Sequence, residues 1–257
     1  DFETKIIVKH DAPTLLKKSL SNKSWKPQTL VMSGVTDPYQ PVEKELEITR
    51  ECIRVLADCR HPLGIITKNH LLTRDIDLLK KLAKFDAVHV TLSITTLDDE
   101  LARVMEPRTS RPERRLDAIR KLADAGIPAG VNIAPVIPGL TDHEMVHILE
   151  AAREAGAVRA GYLLLRLPYG VKDLFLNWLT VHFPGRRDKV VNRILDYRDG
   201  KLNRSEFGER FSGKGNFADQ IRDQFRIHTQ RLGYNRERKP LNVKAFRRPQ
   251  TEQLNLF

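Results

Sequence analysis

Chemically versatile side chains recur directly after short apolar runs in this sequence. Thr36 and Asp37 follow Leu30-Val31-Met32, Lys68 and Asn69 follow Ile65-Ile66-Thr67, and Ser93 and Thr95 follow Val90-Thr91-Leu92. Asn132 and Pro135 stand at the close of a fourth run, and Arg166 follows Leu163-Leu164-Leu165. Strand ends hold side chains rigidly while the loops after them vary, so α/β folds build their sites there. Lys68 alone could supply the Schiff-base amine of a (β/α) barrel lyase or aldolase. Asp37-Pro38-Tyr39-Gln40 reads equally as a turn into a helix. Five polar strand ends together are a better signal than any one of them.

Two motifs mislead. His143-Glu144-Met145-Val146-His147 matches H-E-x-x-H, in which two imidazoles one helical turn apart share a zinc ion and the Glu is the base. Thr141 and Glu144 already have the capping-box spacing, however, and no further His follows at the extended spacing. Ser212-Gly213-Lys214-Gly215-Asn216 lacks the four-residue gap and the hydroxyl after Lys that a phosphate loop needs. No G-x-G-x-x-G follows a strand, which counts against a Rossmann dinucleotide site.

The elements that must position these groups alternate. Strand-like runs fall at 5–8, 29–32, 63–67, 88–92, 130–134 and 161–165. Amphipathic patterns lie between them. One places Val42, Leu46, Ile53 and Leu56 at three- and four-residue steps, and the next, from about Arg74, carries Ile76, Leu79 and Leu82. A third follows Thr109-Ser110 with Pro112 near its first position, presents Leu116, Ile119 and Leu122, and has Gly126 just past its end. A fourth opens at Thr141. Six β/α units with near-continuous apolar strands predict an α/β protein: a parallel sheet covered by helices, as an open sheet or a full or partial barrel.

The 257 residues are 40% hydrophobic and 30% charged, with no apolar run long enough to span a bilayer and no signal-peptide pattern, so a cytoplasmic protein without membrane contact is expected. The net charge of +11 is uneven. Residues 1–185 hold 26 basic against 24 acidic side chains, whereas 186–248 hold 18 against 8. That basic segment also carries Tyr197, Phe207, Phe211, Phe217, Phe225, Tyr234 and Phe246. Basic groups with interleaved aromatics are the chemistry of a nucleic-acid surface. Phe217, Ile221 and Phe225 fall at i, i+4 and i+8, the pattern of rings turned into a core. The expected division is a barrel over 1–185 and a basic, mainly helical extension over 186–257.

Several ordered blocks resemble one family. Ser33-Gly34-Val35-Thr36-Asp37-Pro38-Tyr39-Gln40-Pro41, Ile66-Thr67-Lys68, Leu92-Ser93-Ile94-Thr95-Thr96, Glu106-Pro107-Arg108-Thr109, Pro135-Val136-Ile137-Pro138-Gly139-Leu140-Thr141-Asp142 and Leu165-Arg166-Leu167-Pro168 resemble radical S-adenosylmethionine proteins of the spore photoproduct lyase-like group. The resemblance implies a partial (β/α)6 barrel and two cofactors, S-adenosylmethionine and a [4Fe–4S] cluster. In that family the cluster is held by a C-x-x-x-C-x-x-C loop, is reduced by an electron donor, and cleaves S-adenosylmethionine to a 5′-deoxyadenosyl radical. It also implies that Thr36 and Asp37 hold the ammonium end of S-adenosylmethionine, Lys68 the carboxylate, Ser93 the ribose, and Asn132 lies near the adenine.

The chain departs from the family pattern twice. Its only cysteines are Cys52 and Cys59, so the cluster loop is absent; together with an opening on Asp1, this predicts a piece of a longer protein with the ligands upstream, inactive by itself. The lyase's hydrogen-donor cysteine corresponds to Gly34, which makes spore photoproduct repair an unsuitable expectation. The substrate stays open. Two other readings stand beside this one: a non-catalytic nucleic-acid-binding α/β module, and a barrel lyase or aldolase using Lys68.

Overall fold

The apolar runs pair side by side in chain order. A computed structural model describes residues 5–33, 36–203, 213–237 and 239–249. Strands β1 (Leu30–Met32), β2 (Leu63–Thr67), β3 (Val88–Ser93), β4 (Ala129–Val136) and β5 (Arg159–Leu164) form one parallel sheet in the order β1-β2-β3-β4-β5. Because neighbours in sequence are neighbours in space, every crossover runs over the same side, which curls a sheet towards a barrel.

Five strands are present among the described residues, not six. Residues 5–8 have the composition of a strand but form no strand of the described sheet, and Ile7 is 92% exposed. A strand needs a partner for its backbone groups. The outer edge of β1, with Val31 at 53% exposure, has none among the described residues.

One sheet face is buried. Leu63, Ile65, Val88, Val90, Leu92, Val131 and Ile133 pack under α4 (Ile76–Ala83), α6 (Pro112–Asp124) and α7 (Met145–Glu154). The other face, read from the parallel register, carries Gly64, Ile66, His89, Thr91, Ser93, Gly130, Asn132 and Gly161. Small and polar residues leave this concave side open.

The helix expected after residue 42 is two, α2 (Glu43–Leu46) and α3 (Ile48–Asp58), because Glu47 takes a left-handed conformation at φ 52°. The buried Glu43 carboxylate accepts from the Thr49 and Arg50 amides at 3.0 and 3.2 Å and so caps α3 from outside it. α6 begins at Pro112 and ends before Gly126, whose φ of 72° suits a glycine. α1 (Ala12–Ser21) packs on α3.

The capping box at 141–144 does not form. Thr141 accepts from the Ile137 amide at 2.9 Å. The Glu144 carboxylate accepts from the Thr96 hydroxyl at 2.6 Å and the Leu97 amide at 2.7 Å, tying α7 to the loop after β3. A partner in another loop competes successfully with the local cap.

Helices α5 (Asp99–Met105), α8 (Val171–His182), α9 (Arg187–Tyr197) and α10 (Asn216–Arg231) complete the described helices. After α10 the chain crosses beneath the N-terminal strand ends. Asn235 donates its amide to the Val158 carbonyl just before β5, Asn242 to Asp86 before β3, and Arg247 to Cys59 before β2, at 3.1, 3.0 and 2.8 Å. The basic segment therefore shares the barrel's core. Tyr197 and Tyr234 are buried with hydroxyls on Leu165 and Leu149 carbonyls, and Phe217, Phe225 and Phe246 pack against the same core. These five rings take the inward-turned pattern, Phe217, Phe225 and Phe246 being partly buried. Phe207, Phe211 and Ser212 lie outside the described residues.

Candidate functional site

A cavity of about 980 Å³ opens where β1, β2 and β3 end, and Ser33, Thr36, Asp37, Lys68, Asn69 and Ser93 line it. Its size suits a small-molecule cleft. Four of the five expected site residues are thus brought together. The fifth, Asn132, stands one strand further along, opposite Ser93 in the β3–β4 register and so on the same sheet face. Gly161 makes room for it, since a Cβ there would lie 3.3 Å from Asn132 Oδ1.

Asp37 is spent largely on the protein. Its Oδ1 accepts from the Tyr39 amide at 2.8 Å and the Thr67 hydroxyl at 2.6 Å, and its Oδ2 from the Lys68 amide at 2.8 Å. Asn69 adds a bond from its side-chain nitrogen to the Tyr39 carbonyl at 2.7 Å. The loop after β1 is thereby clamped to the end of β2. From below, the buried Tyr39 donates to Asp75 at 3.0 Å, and Asp75 is itself bound by Arg50 and Arg74, each at 2.9 Å. Burial, then the Asp75 charge, pushes the Tyr39 phenol well above its ordinary value.

Lys68 is paired. Its ammonium donates to Glu106 and reaches the Thr95 hydroxyl at 3.3 Å. Glu106 also accepts from Arg115 at 2.7 Å. Burial alone would raise the Glu106 carboxyl, but the Lys68 and Arg115 charges outweigh it and hold the group below its usual value. With its nitrogen engaged by Glu106 and Thr95, Lys68 is not placed as a free Schiff-base amine.

Arg115 escaped the sequence reading although a signal existed. It lies four and seven residues before Ile119 and Leu122, on their buried face, where a lone arginine must have partners inside. For Glu106 the sequence signal is only its place in the block Glu106-Pro107-Arg108-Thr109.

His143, Glu144 and His147 of the H-E-x-x-H run border a second cavity of about 580 Å³, but both imidazoles are exposed and Glu144 is engaged by Thr96 and Leu97. Among the described residues no group of three or more His, Cys, Asp or Glu could hold a metal ion. Cys52 and Cys59 are buried on α3 and just past its end, and burial pushes both thiols up to about 11. No described helix is long and apolar enough to cross a membrane.

Comparison with known proteins gives this geometry its context. Residues 10–152 match the model of the radical SAM superfamily. The chain is 34% identical over 203 residues to the uncharacterized protein Rv2578c of Mycobacterium tuberculosis, covering 78% of this chain and 58% of that one. It is 37% identical over 141 residues to the uncharacterized protein MJ0683 of Methanocaldococcus jannaschii, covering 55% and 51% respectively. The chain therefore spans little more than half the length of these relatives. Its fold is similar to that of a spore photoproduct lyase variant with bound AdoMet and dinucleoside spore photoproduct, at a TM-score of 0.57 and 15% identity over 89% of this chain and 66% of that one.

Proposed function

The chain belongs to the radical SAM superfamily, and from that premise we propose that the cavity at the ends of β1 to β3 is the S-adenosylmethionine site of a radical SAM enzyme. The observation that carries this reading is the convergence of Thr36, Asp37, Lys68 and Ser93 from three successive strand ends on one cavity. Lys68 holds the methionyl carboxylate by a charge-assisted hydrogen bond. Ser93 faces the ribose hydroxyls, and Thr36 with the remaining lone pair of Asp37 faces the ammonium. Asn132, further round the open face, borders the adenine.

The cluster is a different matter. A site-differentiated [4Fe–4S] cluster in this family takes three thiolates, and this sequence has two cysteines, one buried on α3 and one buried just past its end, neither lining the cavity. These residues do not fit it. We place its ligands outside these 257 residues, on polypeptide upstream. For 186–248 we propose at most electrostatic contact with a phosphate backbone, since the described rings are packed.

Calorimetric titration of the chain with S-adenosylmethionine tests the reading. Binding that weakens in Lys68→Ala and Thr36→Ala is expected; absent binding, or binding indifferent to both changes, would sink it.

A further inference from the structure

We propose that Glu106, itself held by Arg115, is the positioning residue that aims Lys68 at a ligand carboxylate. This rests on the cavity being the S-adenosylmethionine site. Glu106 lies just past the end of α5, with its side chain 9% exposed, and each of its oxygens takes one cation: Oε1 accepts from Lys68 and Oε2 from Arg115. Arg115 is 1% exposed. It donates to the Ser110 carbonyl at 2.7 Å, the Ser93 carbonyl at 2.8 Å and the Thr109 hydroxyl as well as to Glu106. A guanidinium so committed cannot reach a ligand.

Two cations and one anion leave the cluster with a net positive charge. Lys68, at 25% exposure, is the member that lines the cavity, so the surplus is expressed there. Without Arg115 the Lys68–Glu106 pair would be neutral and would attract a carboxylate weakly. An ammonium has three N–H donors. Glu106 and Thr95 take two from the protein side, which points the third into the cavity. Arg115 also grips the carbonyl of Ser93, so one buried group sets both the cation and the neighbouring hydroxyl.

The test compares S-adenosylmethionine with its decarboxylated analogue, which keeps the adenosine, sulfonium and amine and lacks only the carboxylate. Glu106→Gln adds to the positive charge, which by itself would tighten a carboxylate, so a weakening of S-adenosylmethionine binding by about tenfold, the scale of one charge-assisted hydrogen bond, reports lost aim, while binding of the analogue should change less than about twofold. Equal loss for both ligands would make Glu106 merely structural and overturn the proposal, as would no loss in Glu106→Gln while Lys68→Ala weakens S-adenosylmethionine. Indifference to Lys68→Ala would instead strike the cavity reading beneath it. Should Glu106→Gln fail to fold, Thr95→Val removes the second anchor and leaves all three charges in place. A smaller, carboxylate-selective loss then supports the proposal and an equal loss overturns it.

Discussion

Asp37 accepts from the backbone amide of Lys68 at 2.8 Å, so the loop after β1 and the residue just past β2 are held as one piece. The side chain expected to touch the ligand is chiefly a brace for Lys68, the residue proposed to hold the carboxylate.

Replacing Asp37 by Ala should therefore cost stability as well as affinity. Three donors lose their acceptor, and a partly buried carboxylate of this kind is worth about 2 kcal/mol. Urea unfolding should show a lower midpoint, with S-adenosylmethionine binding weakened in parallel. A variant with unchanged midpoint would mean that the loop is held by Tyr39 and Asp75 alone.

Stability should fall as the solution is made acidic, well before carboxylates titrate. His89 sits on β3 with its Nε2 buried and without a hydrogen-bond partner, and burial, helped by the Arg159 charge, lowers its pKa to about 4. The unfolded imidazole titrates near 6.5. Between those values the unfolded chain binds a proton that the folded one refuses, so stability is full above 6.5 and is lost as pH falls towards 4, by about 1–3 kcal/mol. His61, lowered by its own burial, acts in the same direction. Glu106 adds a further loss as pH falls from the ordinary carboxyl value to its own depressed one. Melting curves of His89→Gln between pH 7 and 4.5 should be flatter than those of the parent; equal slopes would refute the assignment.

Iron and sulfide reconstitution of this chain alone should give no [4Fe–4S] absorption band, and Cys52→Ala with Cys59→Ala should leave that result unchanged. A stoichiometric cluster lost in the double variant would show that α3 opens to present its thiols.

The crossing under the strands should matter for stability. Asn242 donates its side-chain nitrogen to the Phe85 carbonyl at 3.1 Å and accepts from the Lys244 amide at 3.0 Å. Asn242→Ala removes both, for about 1–2 kcal/mol, and hydrogen exchange should quicken at the start of β3. Unchanged exchange there would mean that the segment rests on the sheet without bracing it.

Any nucleic-acid contact of 186–248 should be sequence-indifferent and steeply salt-dependent, since counterion release is the term left when rings are packed. Fluorescence anisotropy with a single-stranded oligonucleotide measures it. Affinity that holds between 50 and 200 mM salt, values chosen to bracket a strong ionic effect, would contradict that origin.

Local pattern determined a good deal of this protein. Apolar runs and helical spacing are properties of neighbouring residues, so β2 was legible to its ends at Leu63 and Thr67, and α6 from Pro112 to the glycine beyond it. The ordered blocks pointed to the family for the same reason. Where sequence reasoning failed, a distant partner had outbid a local one. Residues 5–8 had strand composition without a neighbouring edge, and Glu144 turned from its own helix to Thr96. The aromatics of the basic segment read two ways until the core claimed them. Only the tertiary structure decided that Lys68 meets Glu106, that Arg115 lies inside with both Ser93 and Glu106, and that Asp37 braces Lys68. Those contacts join residues far apart in the chain, and the parallel register that superposes the ends of β1, β2 and β3 is set by the packing of the whole sheet.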